Sequence, residues 1–364
     1  MSWIKSHPRF IFCLTSILFL LVFAEFILRL AGIGYGNSPI EVNQRLHHLH
    51  PKNYEFTAYH PSEEYKGHQI YYDEFGYRVS SKNFSYTNDS NRRIAFLGDG
   101  FTEANPVSWN QSFIGLIEME KQNLVVRNFG VAGYSPYIYL VQLKNEVKLF
   151  QPTDVVVQIL ENDFYEDRKY SQRANSKRLS EVKSVSGVVS KKKTLVKILR
   201  YSYLARLLRK VQKIIMFKFL NPVRDKSEDF LLNEQSSITK TGKEKTYEAI
   251  LLLKDLSKMI DAQIFFFVVP NKKLAMQNQC CESDSLANEF REFSESNDLN
   301  LIDLPGLTMI GLTDKGQTKD MPQKIRKMLS NYIKDPKSII LAVIPARTDI
   351  EADMGLELIK KYDI

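Results

Sequence analysis

Four short blocks carry residue types that chemistry uses: Phe96-Leu-Gly-Asp-Gly-Phe-Thr-Glu103, Asn128-Phe-Gly-Val-Ala-Gly-Tyr134, Glu161-Asn-Asp163 and Asp314-Lys-Gly-Gln317. The first three follow apolar strand-like runs, and the fourth precedes a helix-like one. Strand ends are where open α/β sheets place their ligand sites. A dinucleotide fingerprint is excluded at the first block. Gly98 and Gly100 supply two glycines, but the third position falls at Glu103, whose charge repels a pyrophosphate. No histidine follows His68, so the later part of the chain has no imidazole base. Five of the six histidines cluster earlier, as His47, His48, His50, His60 and His68. No cysteine or acid stands beside them at metal-ligand spacing, so surface histidines and no metal site are expected. The three cysteines, Cys13 and the vicinal Cys280 and Cys281, suggest neither a disulfide framework nor a zinc site. Each block also has a plain structural reading. Asp99-Gly100 makes a turn, Asn162 caps a helix, and Gly130 and Gly133 serve turns or close packing.

Alternating elements must position these blocks. Residues 93–97, 124–129, 155–160, 263–269 and 299–303 read as short apolar strands. Between and after them, residues 108–121, 136–150 (amphipathic), 245–260 and 284–296 have helical periodicity. Strands alternating with helices predict an α/β fold, a three-layer parallel sheet with helices on both faces, flavodoxin-like in arrangement. Residues 92–335 would form this domain, interrupted by a basic helical insertion at about 168–240. Residues 336–364 would add a strand at 338–343 and a helix at 350–361. Residues 32–91 read as a polar and aromatic lead-in, or stalk, with short strands.

The N-terminus adds a different element. Residues 10–28 form a nineteen-residue apolar run with one charge, Glu25. That length matches the ~20 residues of a bilayer-spanning helix. Residues 10–31 are therefore expected as an uncleaved single-pass anchor, a cleaved signal peptide being the competing reading. Lys5 and Arg9 precede the run, so the positive-inside rule puts residues 1–9 in the cytoplasm and the main domain outside, periplasmic or at the cell surface. The net charge of +8 is local: residues 182–224 hold twelve Lys or Arg and no acid, leaving 38 basic against 42 acidic residues elsewhere, a net of −4. Such a stretch suits an anionic surface, and with this topology membrane lipid is the expected partner and nucleic acid is not. Residues 196–220 interleave Leu, Ile and Tyr with Lys and Arg. Two roles stay open for them, a helix at the bilayer surface or one packed on the domain.

Taken in order, the four blocks resemble the SGNH/GDSL hydrolases, esterases and acyltransferases of α/β fold. Asp73-Glu-Phe-Gly-Tyr-Arg78 and the anchor are similar to features of the membrane-anchored, cell-envelope subgroup. The resemblance implies an oxyanion hole at Gly133 and Asn162, an orienting acid at Asp314, and supporting roles for Asp99 and Asp163. It puts Gly100 at the nucleophile position and Gln317 at the base position, where the family has serine and histidine. Glycine cannot attack a carbonyl, and an amide takes no proton near neutral pH. The implied function is a catalytically impaired pseudoenzyme, without cofactor, that binds an acylated or saccharide envelope ligand. The alternative is an active esterase or O-acetyltransferase on envelope polysaccharide with a displaced nucleophile and base. A component that docks on envelope protein partners is a third reading.

Overall fold

The computed structural model describes residues 8–36, 38–60, 66–82, 84, 92–120, 124–187, 199–220, 237–269 and 285–301. The apolar N-terminal run forms one helix, α1 (Pro8–Leu30), whose Phe12–Leu30 stretch is long and apolar enough to cross a membrane. None of that stretch is buried in the protein.

The lead-in folds into short strands. It forms β1 (Tyr35–Gly36), β2 (Glu41–Val42), β3 (His48–Leu49), β4 (Glu55–Tyr59), β5 (Lys66–Tyr72) and β6 (Arg78–Val79). A four-stranded sheet runs β1-β4-β5-β6, and β2 pairs with β3 antiparallel. Tyr54, Phe56, Ala58, Ile70 and Tyr72 give it a small core of its own. The main sheet contains β7 (Arg92–Leu97), β8 (Leu124–Asn128), β9 (Asp154–Ile159) and β10 (Gln263–Val268), in the order β10-β9-β7-β8. All its pairings are parallel.

Its helices are α2 (Gly100–Glu103), α3 (Phe113–Glu120), α4 (Pro136–Asn145), α5 (Asp163–Ser171), α6 (Tyr203–Leu220), α7 (Ser237–Met259) and α8 (Ser285–Ser296). Side chains alternate along β9: Val155, Val157 and Ile159 enter one core with α4, α7 and Phe290 of α8, while Val156 enters another with Trp109 and Ile114 of α3. Helices thus cover both faces, and burial on both sides explains why β9 is apolar without alternation.

Two helices depart from expectation. α4 is not amphipathic: eight consecutive residues, Pro136 to Leu143, are buried. It ends at Asn145, and residues 147–150 follow as a 3-10 turn. α7 begins at Ser237, well before residue 245, and packs on α5 and α4. Of the strand expected at 299–303, residues 299–301 are described, and there Leu301 makes an isolated parallel bridge with Phe266 of β10. The C-terminal extension lies outside the described residues.

Candidate functional site

The ends of β7 and β8 bring the first two blocks together. Asp99 caps α2, its Oδ1 accepting from the Phe101 amide at 2.9 Å and from Gln158 Nε2 of β9 at 2.6 Å. Burial raises its pKa, only partly countered by these bonds. Gly100 lies beside the second block: a Cβ built there would sit 3.5 Å from Cβ of Ala132. At Gly133 φ is +82°, a left-handed conformation that favours glycine. Gly130 permits close approach, since a Cβ there would meet the Glu103 amide nitrogen at 2.7 Å. The third block follows β9. Asn162 stands at the N-cap of α5 without a side-chain capping bond, contrary to its structural reading, and its Oδ1 is buried without a protein partner. Asp163 accepts from the Leu160 amide at 2.8 Å, and burial followed by the charge of Asp167 holds its pKa well above the usual carboxylate value. Asp314 and Gln317 lie outside the described residues.

The histidines are where the sequence reading fails most plainly. His48 and His50 are buried, not on the surface. The ring of His48 reaches the second block and bonds through Nε2 to the Ala132 carbonyl at 2.9 Å. That bond requires a proton on Nε2. Arg173 contacts His47 Nε2 at 2.6 Å, and His47 and His48 meet Nδ1 to Nδ1 at 2.8 Å. An arginine only donates, so His47 Nε2 accepts and its Nδ1 carries the hydrogen given to His48. Both rings are consistently neutral: burial and the neighbouring His48 lower His47 to about 4, and burial lowers His48. His48 therefore has no lone pair left for a base.

A second buried cluster centres on Glu103, which the sequence showed only as a charge hostile to pyrophosphate. Its carboxylate pairs with His50 Nε2 at 3.0 Å and accepts from Tyr72 Oη at 2.7 Å, Ser38 Oγ at 2.9 Å and the Ala132 amide at 2.8 Å. Burial alone would raise its pKa, but the His50 charge and these bonds hold it at about 2. Burial opposes protonation of His50, and the Glu103 charge overcomes it and raises the imidazole pKa. Arg78, at the end of the lead-in motif, donates to the Glu103 carbonyl at 2.8 Å, to Val107 O at 2.8 Å and to Ala104 O. The cluster joins the lead-in to the sheet. A lone acid in a turn gives no warning of this, because its partners lie in a segment without recognisable periodicity.

Residues 166–364 match the Dynamin family, more than half of the chain. Dynamin-B of Dictyostelium discoideum is 45% identical over 65 residues, covering 18% of this chain and 7% of that protein. Dynamin-related protein dnm1 of Schizosaccharomyces pombe is 48% identical over 65 residues, at 18% and 8% coverage. The chain thus spans less than a tenth of the length of these curated relatives. Among solved structures, a GDSL-like lipase from Bacteroides thetaiotaomicron is 13% identical over 66% of this chain and 86% of its own, with a TM-score of 0.29. A putative acylhydrolase from Bacteroides fragilis is 13% identical at 68% and 92% coverage, with a TM-score of 0.31. Scores this low say nothing about site or activity.

The family match overturns the functional expectation. Neither the SGNH-like pseudoenzyme with an acylated or saccharide ligand nor the esterase or O-acetyltransferase alternative stands, and polysaccharide acylation falls with them. The fourth block, Asp314 to Gln317, lies inside the matched segment and outside the described residues. The signal missed lies eleven residues earlier, in Asp303-Leu-Pro-Gly306. There an acid directly follows the apolar run Leu299-Asn-Leu-Ile302. What remains of the fold expectation is a mixed α/β chain with a parallel sheet and one apolar N-terminal helix, and by residues 166–364 the chain belongs to the dynamin family.

Proposed function

We propose that this chain is a membrane-anchored protein of the dynamin family with guanosine triphosphatase function in its C-terminal half. The observation that carries this reading is the family match over residues 166–364. The sequence following β10 supports it: Asn300 accepts from the Phe266 amide at 2.9 Å, and Asp303 comes two residues after Leu301. Among the described residues no group of three or more His, Cys, Asp or Glu could hold a metal ion. Asp303 itself lies outside the described residues. The sequence contains no Gly-x-x-x-x-Gly-Lys-Ser/Thr phosphate loop; at Gly311 and Gly316 the spacing recurs with Gln317 in place of lysine. Turnover by this chain is therefore slow, and nucleotide binding is the more sensitive readout. Full-length protein in nanodiscs is expected to bind a fluorescent GTP analogue and release phosphate above a protein-free blank. Asp303→Asn should weaken binding about tenfold or more, since in P-loop nucleotide hydrolases the acid at such a position holds the magnesium that the nucleotide needs. No binding at millimolar GTP would overturn the proposal.

The anchor in this reading is α1. Counting Lys5 and Arg9 alone directs the rest of the chain outward. Arg200, Arg206, Arg209, Lys210 and Lys213, however, stand on or beside α6, which packs on the other end of α1. They lie far along the chain, outside that local count, but meet α1 in the fold, and GTP is a cytoplasmic nucleotide. In this proposal the body of the protein faces the cytoplasm, and the outward orientation gives way.

A further inference from the structure

The insertion helix α6 is turned inside out for a protein surrounded by water. Its exposed side carries Leu208, Val211, Ile215 and Met216, between 46% and 61% exposed. The first three follow the i, i+3, i+7 spacing of one helix stripe. Its polar side faces the protein. Arg206 stacks 4.7 Å over Tyr54 and donates to the Arg200 carbonyl at 2.6 Å, and Lys210 sits 3.3 Å above the Tyr35 ring. Such a helix gains nothing from water on its outer side. It gains where an apolar medium with a charged margin meets it.

The start of α6 fixes where that medium lies. Glu25 of α1 accepts from the Tyr203 amide at 3.0 Å, the Leu204 amide at 2.9 Å and Ser202 Oγ at 2.8 Å. Its carboxylate therefore sits on the open N–H groups and positive dipole end of α6. Arg29 completes the joint, holding Glu25 at 2.8 Å and the Tyr201 carbonyl at 2.6 Å. Glu25 comes five residues before the end of α1 at Leu30, or about 7 Å along the axis. That depth is the border between acyl chains and headgroups if α1 spans. From there α6 runs along the lead-in sheet, Lys210 at Tyr35 and Phe217 beside His60 with ring centroids 6.3 Å apart. It leads away from α1, across the face of the protein nearest the bilayer.

We infer that α6 is an interfacial helix: its Leu208, Val211, Ile215 and Met216 stripe lies among the acyl chains of the bilayer that α1 crosses, and its basic flanks meet anionic headgroups. This rests on the anchor reading above. Continuity with α1 and the absence of any acid in residues 182–224 select lipid over a second protein as the occupant. The joint at Glu25 and the stripe together hold the body flat on the membrane, where α1 alone would leave it free to swivel.

The test uses the full chain in liposomes containing phosphatidylglycerol, with Cys13, Cys280 and Cys281 replaced by serine. Single cysteines at F19C, L208C, V211C, I215C and L149C carry an environment-sensitive fluorophore. Leu149 is 73% exposed on the α/β body and serves as the aqueous control. Quenching by brominated acyl chains is compared with quenching by iodide. Labels at 208, 211 and 215 should show roughly half or more of the lipid quenching seen at 19, as befits a helix 5–10 Å deep, and resist iodide. The label at 149 should respond to iodide alone. Lipid quenching at 19 with iodide-accessible labels on α6 overturns the inference and leaves the anchor. Protection on α6 from both quenchers marks a protein partner and also overturns it. Absence of lipid quenching at 19 removes the anchor reading itself.

Discussion

Glu103 shows how much of this molecule depends on single buried charges. Its folded pKa of about 2 lies below the ordinary glutamate value of 4.5, so it stabilises the fold above that value and loses the contribution as pH falls toward 2. His50 has the opposite sign. Its folded pKa is raised above 6.5, so its contribution is complete below 6.5 and fades as pH rises through the folded value. The pair is therefore worth most between about pH 5 and 6. Glu103→Gln leaves His50 buried without a counter-charge, and about 3 kcal/mol of stability is expected to go at pH 6. The gap to wild type should narrow below pH 4. Thermal unfolding followed by near-ultraviolet circular dichroism across that range measures it, and a pH-independent gap would refute the ion-pair account. None of this was legible in the sequence, because Ser38, His50 and Tyr72 are strung over a lead-in whose strands are mostly two residues long. The strand-end glycines were legible, since a turn leaving a parallel strand needs little beyond local chain geometry.

At the scale of elements, Asp167 is the joint between three helices. Its carboxylate accepts from the Tyr137 amide at 2.9 Å in the first turn of α4, from Ser135 Oγ, and from Thr246 Oγ1 of α7 at 2.7 Å. Burial raises its pKa to about 7 despite these donors. Asp167→Ala strands the three donors in the core and should cost about 2–4 kcal/mol. Asp167→Asn, closer in shape to the protonated acid, should cost less than half of that. Because the folded pKa exceeds the unfolded one, the wild-type residue destabilises progressively between about pH 4 and 7, and the asparagine variant should lose that slope. Urea unfolding at pH 5 and pH 7.5 separates the two, and equal costs for both variants would deny Asp167 its capping role. The sequence announced the strands here better than the helices. Val155 to Val157 can only be a strand buried on both faces. α4 read as amphipathic because Tyr137, Tyr139 and Gln142 look polar, yet all three are buried: Tyr139 Oη donates to the Tyr134 carbonyl at 3.3 Å, Gln142 Nε2 donates to the Phe129 carbonyl at 2.9 Å, and the helix is sandwiched between the sheet and α7. Asp167 could not be singled out, since Ser135 and Thr246 are 32 and 79 residues away in sequence.

For the whole molecule, two charge distributions bear on which side of the membrane carries the body, and they point in opposite directions. A window around the apolar run contains Lys5 and Arg9 before it, and that local count points outward. The folded chain brings distant charge to the opposite end: Arg29 bonds Tyr201, and Arg200 pairs with Glu41 at 2.6 Å beside the start of α6. Basic side chains gathered at that end would be drawn to the anionic cytoplasmic leaflet at about 1 kcal/mol each. Arg209, exposed on α6, adds to that pull. On the nucleotide reading proposed above, the body is expected to remain in the cytoplasm, where GTP would be available to residues 166–364. In sealed right-side-out vesicles, protease added outside should leave the α/β body intact and remove at most the N-terminal residues 1–7. Permeabilised vesicles should lose the body to the same protease. Digestion of the body in sealed vesicles would restore the outward orientation, and with it a membrane between this chain and its proposed nucleotide.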